Sequence, residues 1–368
     1  MKAARILLGV LAMLIAAPAR ADILIAAAGP VTGPLASLGE QMLAGARQAV
    51  ADINEAGGVL GQKLELFVSD DQCDPKQAVS VANQLAAKKV AMVVGHICSG
   101  ATLPAAQVYE QEGVVMISPA ATTPEITEQG HRLIFRTCGR DDMQGYVAGD
   151  FMAKRFKDKR IAVLHDKSAY GKGIADATRD ALHRAGITEV LYDAFTAGEK
   201  DYTALVSRLK QTGAEAVFVG GYHTEAGLIL RQMRAQGLDA AFVGGDTLVL
   251  REFWSVAGDA AENVHFTFVK DPRRNPLAAE VLSRFAAQGK TPDGYVLYTY
   301  AAVESWAEAA KRAGTLDAEN VAAMLHGQSF ETVIGKLTFD PKGDVDLPTF
   351  EVYRWSKGDY ALVEDAQN

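Results

Sequence analysis

From residue 23 to residue 243 one unit repeats along the chain: a short apolar run, a glycine or polar turn, then a stretch of helical periodicity. The runs at 23–28, 64–69, 91–94 and 114–118 barely alternate between apolar and polar, which predicts strands buried on both faces. Met42, Ala46, Ala49, Val50 and Ile53 share one face of a helical stretch that starts at Ser37 and stops at Gly57-Gly58. After Gly139 the rhythm restarts with runs at 161–164, 190–195, 216–219 and 241–243. The helices between them stop at Gly186, Gly213 and Gly237, each placed for a left-handed cap. This alternation predicts an α/β fold of parallel sheets sandwiched between helices.

Ala91-Met92-Val93-Val94-Gly95 echoes Ala216-Val217-Phe218-Val219-Gly220, so a weak internal duplication is expected. Beyond 264–269 the pattern changes to helices at 276–288, 295–313 and 318–326, then to hairpin-like strands near 337–339 and 350–355. A chain of 368 residues exceeds what one core usually holds, so two domains are expected. No Ser/Gly-rich or Pro-rich linker separates them. The crossings are therefore expected to be short ordered segments, the arrangement of a hinge.

Lys2 and Arg5 precede an apolar run at 6–17, and Ala19-Arg20-Ala21 offers the small residues of a signal-peptidase site. Residues 1–21 read as a signal peptide cleaved after Ala21, and the mature chain as an exported, soluble protein. Cleavage removes Lys2, Arg5 and Arg20 and no acid, taking the formal charge from -8 to -11. So acidic a chain argues against nucleic acid and anionic lipid as partners. Export also implies an oxidising compartment. Of three cysteines, Cys73 and Cys98 each lie just past a predicted strand end, and they are expected to pair. Cys138 is left as a buried thiol. No cysteine or histidine spacing suggests a metal site.

Enzyme motifs are missing: there is no phosphate-binding Gly-x-x-x-x-Gly-Lys, no His-Glu-x-x-His and no Gly-x-Ser-x-Gly. Ser99, His96 and Asp70 or Asp71 could be imagined as a hydrolase triad, but near neighbours such as His96 and Ser99 rarely orient as base and nucleophile. What remains is a set of neutral donors at strand ends, where open α/β sheets hold ligands. Ser99 and Thr122 could hold a carboxylate by hydrogen bonds, and Asp246 in the second half could meet an ammonium. Each of the three could equally be a helix cap.

At these residues the sequence resembles the periplasmic leucine/isoleucine/valine-binding proteins that deliver amino acids to ABC importers. Similar stretches include Gly29 to Pro34, Asp70 to Ala78, Gly95 to Ser99, Ser118 to Pro124, His165-Asp166-Lys167 with Tyr170-Gly171, Gly220 to His223 and Thr338 to Asp344. The resemblance implies two doubly wound α/β lobes with parallel central sheets, joined by a three-crossing hinge near Arg140, Lys270 and Pro348. The lobes would be 22–140 plus 270–348, and 141–269 plus 349–368, with the ligand in the cleft.

By the same resemblance, Ser99 would bind the ligand carboxylate with help from the Thr122 N–H, and Tyr170 would close from the other lobe. The Ala120 carbonyl, the Thr122 hydroxyl and Asp246 would receive the α-ammonium. Asp141 and Tyr222 would line the closing lobe, and Leu38, Ile97 and Tyr295 an apolar side-chain pocket. The implied function is capture of an aliphatic, branched-chain L-amino acid for an ABC transporter permease by a periplasmic monomer, without cofactor or catalysis. The rival readings are a binder of another small zwitterion or an aromatic acid, and a receptor sensor lobe. Three departures bear on specificity. Gly244-Gly245-Asp246-Thr247 stands where the family usually has Gly-Pro-Glu-Gly, which retracts the acid by about 1.5 Å, one carbon–carbon bond. Leu38 replaces a usual tyrosine, and Gly100 and Ala101 replace serines.

Overall fold

The computed structural model describes residues 21–346 and 350–364. All but the last residue of the expected signal segment 1–21, and the expected crossing near Pro348, lie outside the described residues. In chain order the first elements are β1 (Ile23–Gly29), α1 (Ala36–Glu55), β2 (Leu64–Asp70), α2 (Pro75–Ala87), β3 (Met92–Gly95), α3 (Ser99–Glu112), β4 (Val115–Ser118) and β5 (Ile134–Arg136). They build a five-stranded parallel sheet in the order β2-β1-β3-β4-β5.

The next run contains α4 (Asp141–Arg155), β6 (Ile161–His165), α5 (Ala169–Arg184), β7 (Leu191–Ala194), α6 (Thr203–Gln211), β8 (Ala216–Gly220), α7 (His223–Ala235), β9 (Ala241–Gly244), α8 (Arg251–Ala257) and β10 (His265–Val269). Its strands pair as β7-β6-β8-β9-β10, the same winding order as the first sheet. The echo noted in the sequence falls on β3 and β8, which hold the same place in their sheets.

The chain then returns to the first sheet with α9 (Ala279–Ala287), α10 (Val296–Ala313), α11 (Ala318–Gly327) and the antiparallel ribbon β11 (Ser329–Thr332) and β12 (Gly335–Thr338). Helix α10 packs on α1, β3 and β4. Finally β13 (Phe350–Ser356) joins the second sheet antiparallel to β10, and β14 (Asp359–Leu362) pairs antiparallel to β13, giving seven strands.

Local chemistry explains the boundaries. The α1 stripe of Leu38, Met42, Ala46, Ala49 and Ile53 is buried, and the helix gives way to Gly57 and Gly58 at positive φ. Asp74 caps α2 by accepting from the Lys76 and Gln77 N–H groups at 2.9 and 2.8 Å, ahead of Pro75 in the first turn.

Two expectations need correction. Strand β2 is half exposed, because it is an edge strand with a neighbour on one side only. The late strands do not form one hairpin: β12 pairs with β11, while β13 joins the other sheet.

Candidate functional site

Both sheets have their winding reversal beside the first strand, and loops leaving the carboxyl ends of strands on either side form a crevice there. The two crevices face each other. From the first come Leu38 on α1, Ile97 and Ser99 after β3, and Ala120 after β4; from the second come Tyr170 on α5, Tyr222 after β8, and Asp246 and Thr247 after β9. With Tyr295, just ahead of α10, these residues line one cavity. The lobes are closed on it, leaving about 10 Å³, the room of about one water.

The first-lobe wall is held from below. Gly95 has φ 130°, and a Cβ there would sit 2.0 Å from the Ala28 carbonyl oxygen, so only glycine lets β3 turn this close to β1. The Cys73–Cys98 disulfide, with Cα atoms 5.5 Å apart, ties the loop after β2 to the residue before Ser99, as expected. Cys138 is free and buried. The Ser118 hydroxyl donates to the His96 carbonyl at 2.6 Å and accepts from the Ala121 N–H at 3.0 Å. Buried Arg136 pairs with Asp344 and donates to the Ala121 and Thr123 carbonyls at 3.1 and 2.9 Å. These contacts set the path of the loop that carries Ala120 and Thr122.

Ser99 opens α3, and its Oγ accepts from the Thr123 N–H at 3.3 Å. The imagined triad is not assembled. His96 places Nδ1 against Asp71 and Nε2 3.0 Å from the Tyr109 hydroxyl, so both nitrogens are engaged away from Ser99.

Asp246 is the centre of the second-lobe wall. Its Oδ1 accepts from the Tyr170 hydroxyl at 2.6 Å and from Gln144 Nε2 at 3.1 Å, and its Oδ2 accepts from the Tyr295 hydroxyl. A Cβ on Gly245 would lie 2.3 Å from the Tyr170 hydroxyl, so glycine before the acid allows this approach. Burial raises the Asp246 carboxyl above the usual range, although the three donors pull it back. Burial also raises the Tyr170, Tyr222 and Tyr295 hydroxyls well above the usual value, with the Asp246 charge adding to it; Asp166 precedes Asp246 as a charge acting on Tyr222.

Thr122 and Asp141 are buried but do not line this cavity. The Thr122 carbonyl accepts the Asp141 N–H at 2.9 Å, which ties the two residues together. The Thr122 hydroxyl and both Asp141 carboxylate oxygens are buried with no partner at full hydrogen-bond geometry, although the hydroxyl lies close enough to the carboxyl to hold it down somewhat. Burial first, and then the Asp246 charge, pushes the Asp141 carboxyl well above its ordinary range. Among the described residues no Lys, Arg or His side chain forms an ion pair with Asp141 or Asp246.

Tyr170 and Tyr295 both line the cavity, and each gives its hydroxyl to Asp246. Sequence reasoning missed Gln144 and Thr247. Gln144 lies three residues after Asp141, one turn along the same helix face, and Thr247 adjoins Asp246 and donates to the Gly221 carbonyl at 3.0 Å. Both were visible only as neighbours of chosen residues.

The family model described as periplasmic binding protein matches residues 22–359. The chain belongs to the periplasmic binding protein family. Within that family it is 50% identical over 339 residues to the Leu/Ile/Val-binding protein homolog 1 of Brucella suis, covering 92% of this chain and 91% of that one. It is 48% identical over 334 residues to the leucine-, isoleucine-, valine-, threonine- and alanine-binding protein of Pseudomonas aeruginosa, covering 90% of each. The crystal structure of the branched-chain amino acid transporter substrate binding protein LivJ from Streptococcus pneumoniae, in complex with isoleucine, matches with a TM-score of 0.85 at 29% identity. That match covers 93% of this chain and 99% of LivJ. The cavity between the two lobes of this chain is where Asp246 meets Tyr170, Tyr222 and Tyr295.

Proposed function

We propose that this chain captures an aliphatic, branched-chain L-amino acid in the periplasm and hands it to the permease of an ABC transporter. One observation carries the reading. Asp246 is a fully buried acid with no cationic partner among the described residues, facing Ser99 and the N-terminal turn of α3 across the closed cleft. An α-ammonium would satisfy the acid, and the α-carboxylate would sit at the positive end of a helix with the Ser99 hydroxyl beside it. Leu38 and Ile97 offer apolar surface for a side chain. The names of the Brucella and Pseudomonas relatives support the same ligand class.

The lobes divide at residues 22–140 plus 270–348 and 141–269 plus 349–368, with export directed by residues 1–21. Ligand enters when the lobes part, since the closed cavity has no room for an amino acid. Contacts that cross the cleft among the described residues include Tyr295 to Asp246, Arg251 to Asp293 at 2.9 Å and Ser37 to His223 at 3.3 Å. Opening breaks these contacts, and the lobes then close around the bound ligand, wider apart than in the empty closed form, so the ligand-closed state is the one the permease reads. The chain acts as a monomer, binding its ligand without chemical change. Mass spectrometry of the native protein, purified without added ligand and then denatured, should release leucine, isoleucine or valine. Release of an aromatic acid or a cationic amino acid instead would reject the assignment.

A further inference from the structure

Gln144 is fully buried on the first turn of α4. Its Nε2 faces Asp246 Oδ1 at 3.1 Å, Thr267 Oγ1 at 2.9 Å and the Thr267 carbonyl at 3.3 Å. A carboxylate oxygen and a carbonyl only accept, so the amide nitrogen must point this way; a flipped amide would set oxygen against oxygen. The other end of the amide, Oε1, is buried without a donor. An unpaired buried acceptor is destabilising, and an apolar side chain of the same length would avoid it. What the position uses is therefore the N–H pair.

Those N–H groups join three segments that the chain brings from far apart. Helix α4 follows the first crossing, Thr267 lies on β10 just before the second, and Asp246 projects from the loop after β9. A carboxylate offers about four lone-pair sites. Tyr170 and Gln144 fill both on Oδ1, and Tyr295 fills one on Oδ2, which leaves one acceptor site, on Oδ2.

We propose that Gln144 is the positioning residue for Asp246: by saturating Oδ1 and anchoring it to Thr267, it presents Oδ2 to the ammonium of the ligand. The inference rests on the proposed function, in which Asp246 receives that ammonium. Gln144 is neutral at every relevant pH and acts through the acid. The titratable groups that face Asp246 are Asp141 on α4, Tyr170 on α5, Tyr222 at the start of α7, Tyr295 ahead of α10 and Cys138 after β5.

The test is Gln144→Met in the mature protein, titrated with leucine by calorimetry from acidic to neutral pH. Affinity at neutral pH should fall by about tenfold, because Oδ2 of Asp246 is no longer held toward the ammonium. The acid limb of binding should move to higher pH, because a carboxylate with one donor fewer holds its proton more tightly. In an Asp246→Asn background the same substitution should change affinity by less than about twofold. If that background binds too weakly to titrate, the position of the acid limb decides alone. Thr267→Val, which loosens Gln144 but keeps the amide, should move the limb the same way by less, and covers the case of a Gln144→Met protein that fails to fold. Unchanged affinity and limb, or equal losses in both backgrounds, would overturn the proposal while leaving the functional reading intact. A wild-type protein that binds no amino acid would overturn both.

Discussion

Replacing Asp246 by asparagine preserves the shape of the side chain and removes its charge. The structure gives this substitution opposite effects on binding and on folding. In the liganded protein the ammonium would lose its only anionic partner in a buried site, and breaking one side of such a pair costs about 2 to 5 kcal/mol. Leucine affinity should therefore drop between about thirtyfold and several thousandfold. In the ligand-free protein the same charge is held against burial, which already raises the Asp246 carboxyl above its usual range. Asp246→Asn should thus melt no lower than wild type without ligand, and should lose most of the thermal shift that leucine confers. The pH profile gives a second sign. A protonated Asp246 cannot pair with an ammonium, so wild-type affinity falls as pH drops through its raised value. Removing that charge also lowers Asp141, whose carboxyl Asp246 helps to push up, so any remaining acid limb moves to lower pH. Calorimetric titrations at several pH values, with melting curves alongside, measure all three effects. An Asp246→Asn protein that binds leucine within about twofold of wild type, with an unmoved acid limb, would refute the reasoning.

Reducing the Cys73–Cys98 bond should destabilise the protein by about 3.5 kcal/mol, from closure of a 25-residue separation in the chain-entropy model; denaturant midpoints with and without reductant would check this, and equal midpoints would contradict it. Arg251→Gln removes a half-exposed pair that bridges the lobes to Asp293, so ligand should leave up to about fivefold faster in stopped-flow, with the difference fading at high salt. Glu304 is pushed up to about 7 by burial, against an ordinary value of 4.5, so its native state keeps a proton that the unfolded chain releases between those values. Stability should fall as pH rises across that window, and Glu304→Gln should be more stable than wild type by up to about 3 kcal/mol at pH 8 but not at pH 4, as read by urea unfolding.

The strands buried on both faces were legible because their runs do not alternate, and the β3 and β8 echo was legible because each is the third strand of a sheet wound in the same order. The cysteine pair was legible for a related reason: β2 and β3 flank β1, so residues just beyond their ends lie close together. Burial of β2 was not readable, since an apolar run looks the same at the edge of a sheet as in its middle. The depth of Thr122 and Asp141 depends on a loop path set by Arg136 and Ser118, and no local pattern encodes that path. Tyr295 could be read as an aromatic wall, but the partner of its hydroxyl lies in the other lobe. Gln144 gave no signal, because its contacts come from Asp246 and Thr267, both more than a hundred residues away in the chain.

The central claim is that this cleft holds a branched aliphatic amino acid by its zwitterion. Calorimetry on protein unfolded, stripped of ligand and refolded, titrated with leucine, isoleucine, valine, alanine, glutamate, arginine and benzoate, tests it most directly. Leucine, isoleucine and valine should bind most tightly, with leucine ahead of alanine by roughly fiftyfold, from three further buried carbons at about 0.8 kcal/mol each. Tightest binding by glutamate, arginine or benzoate, or no binding by any amino acid, would contradict it.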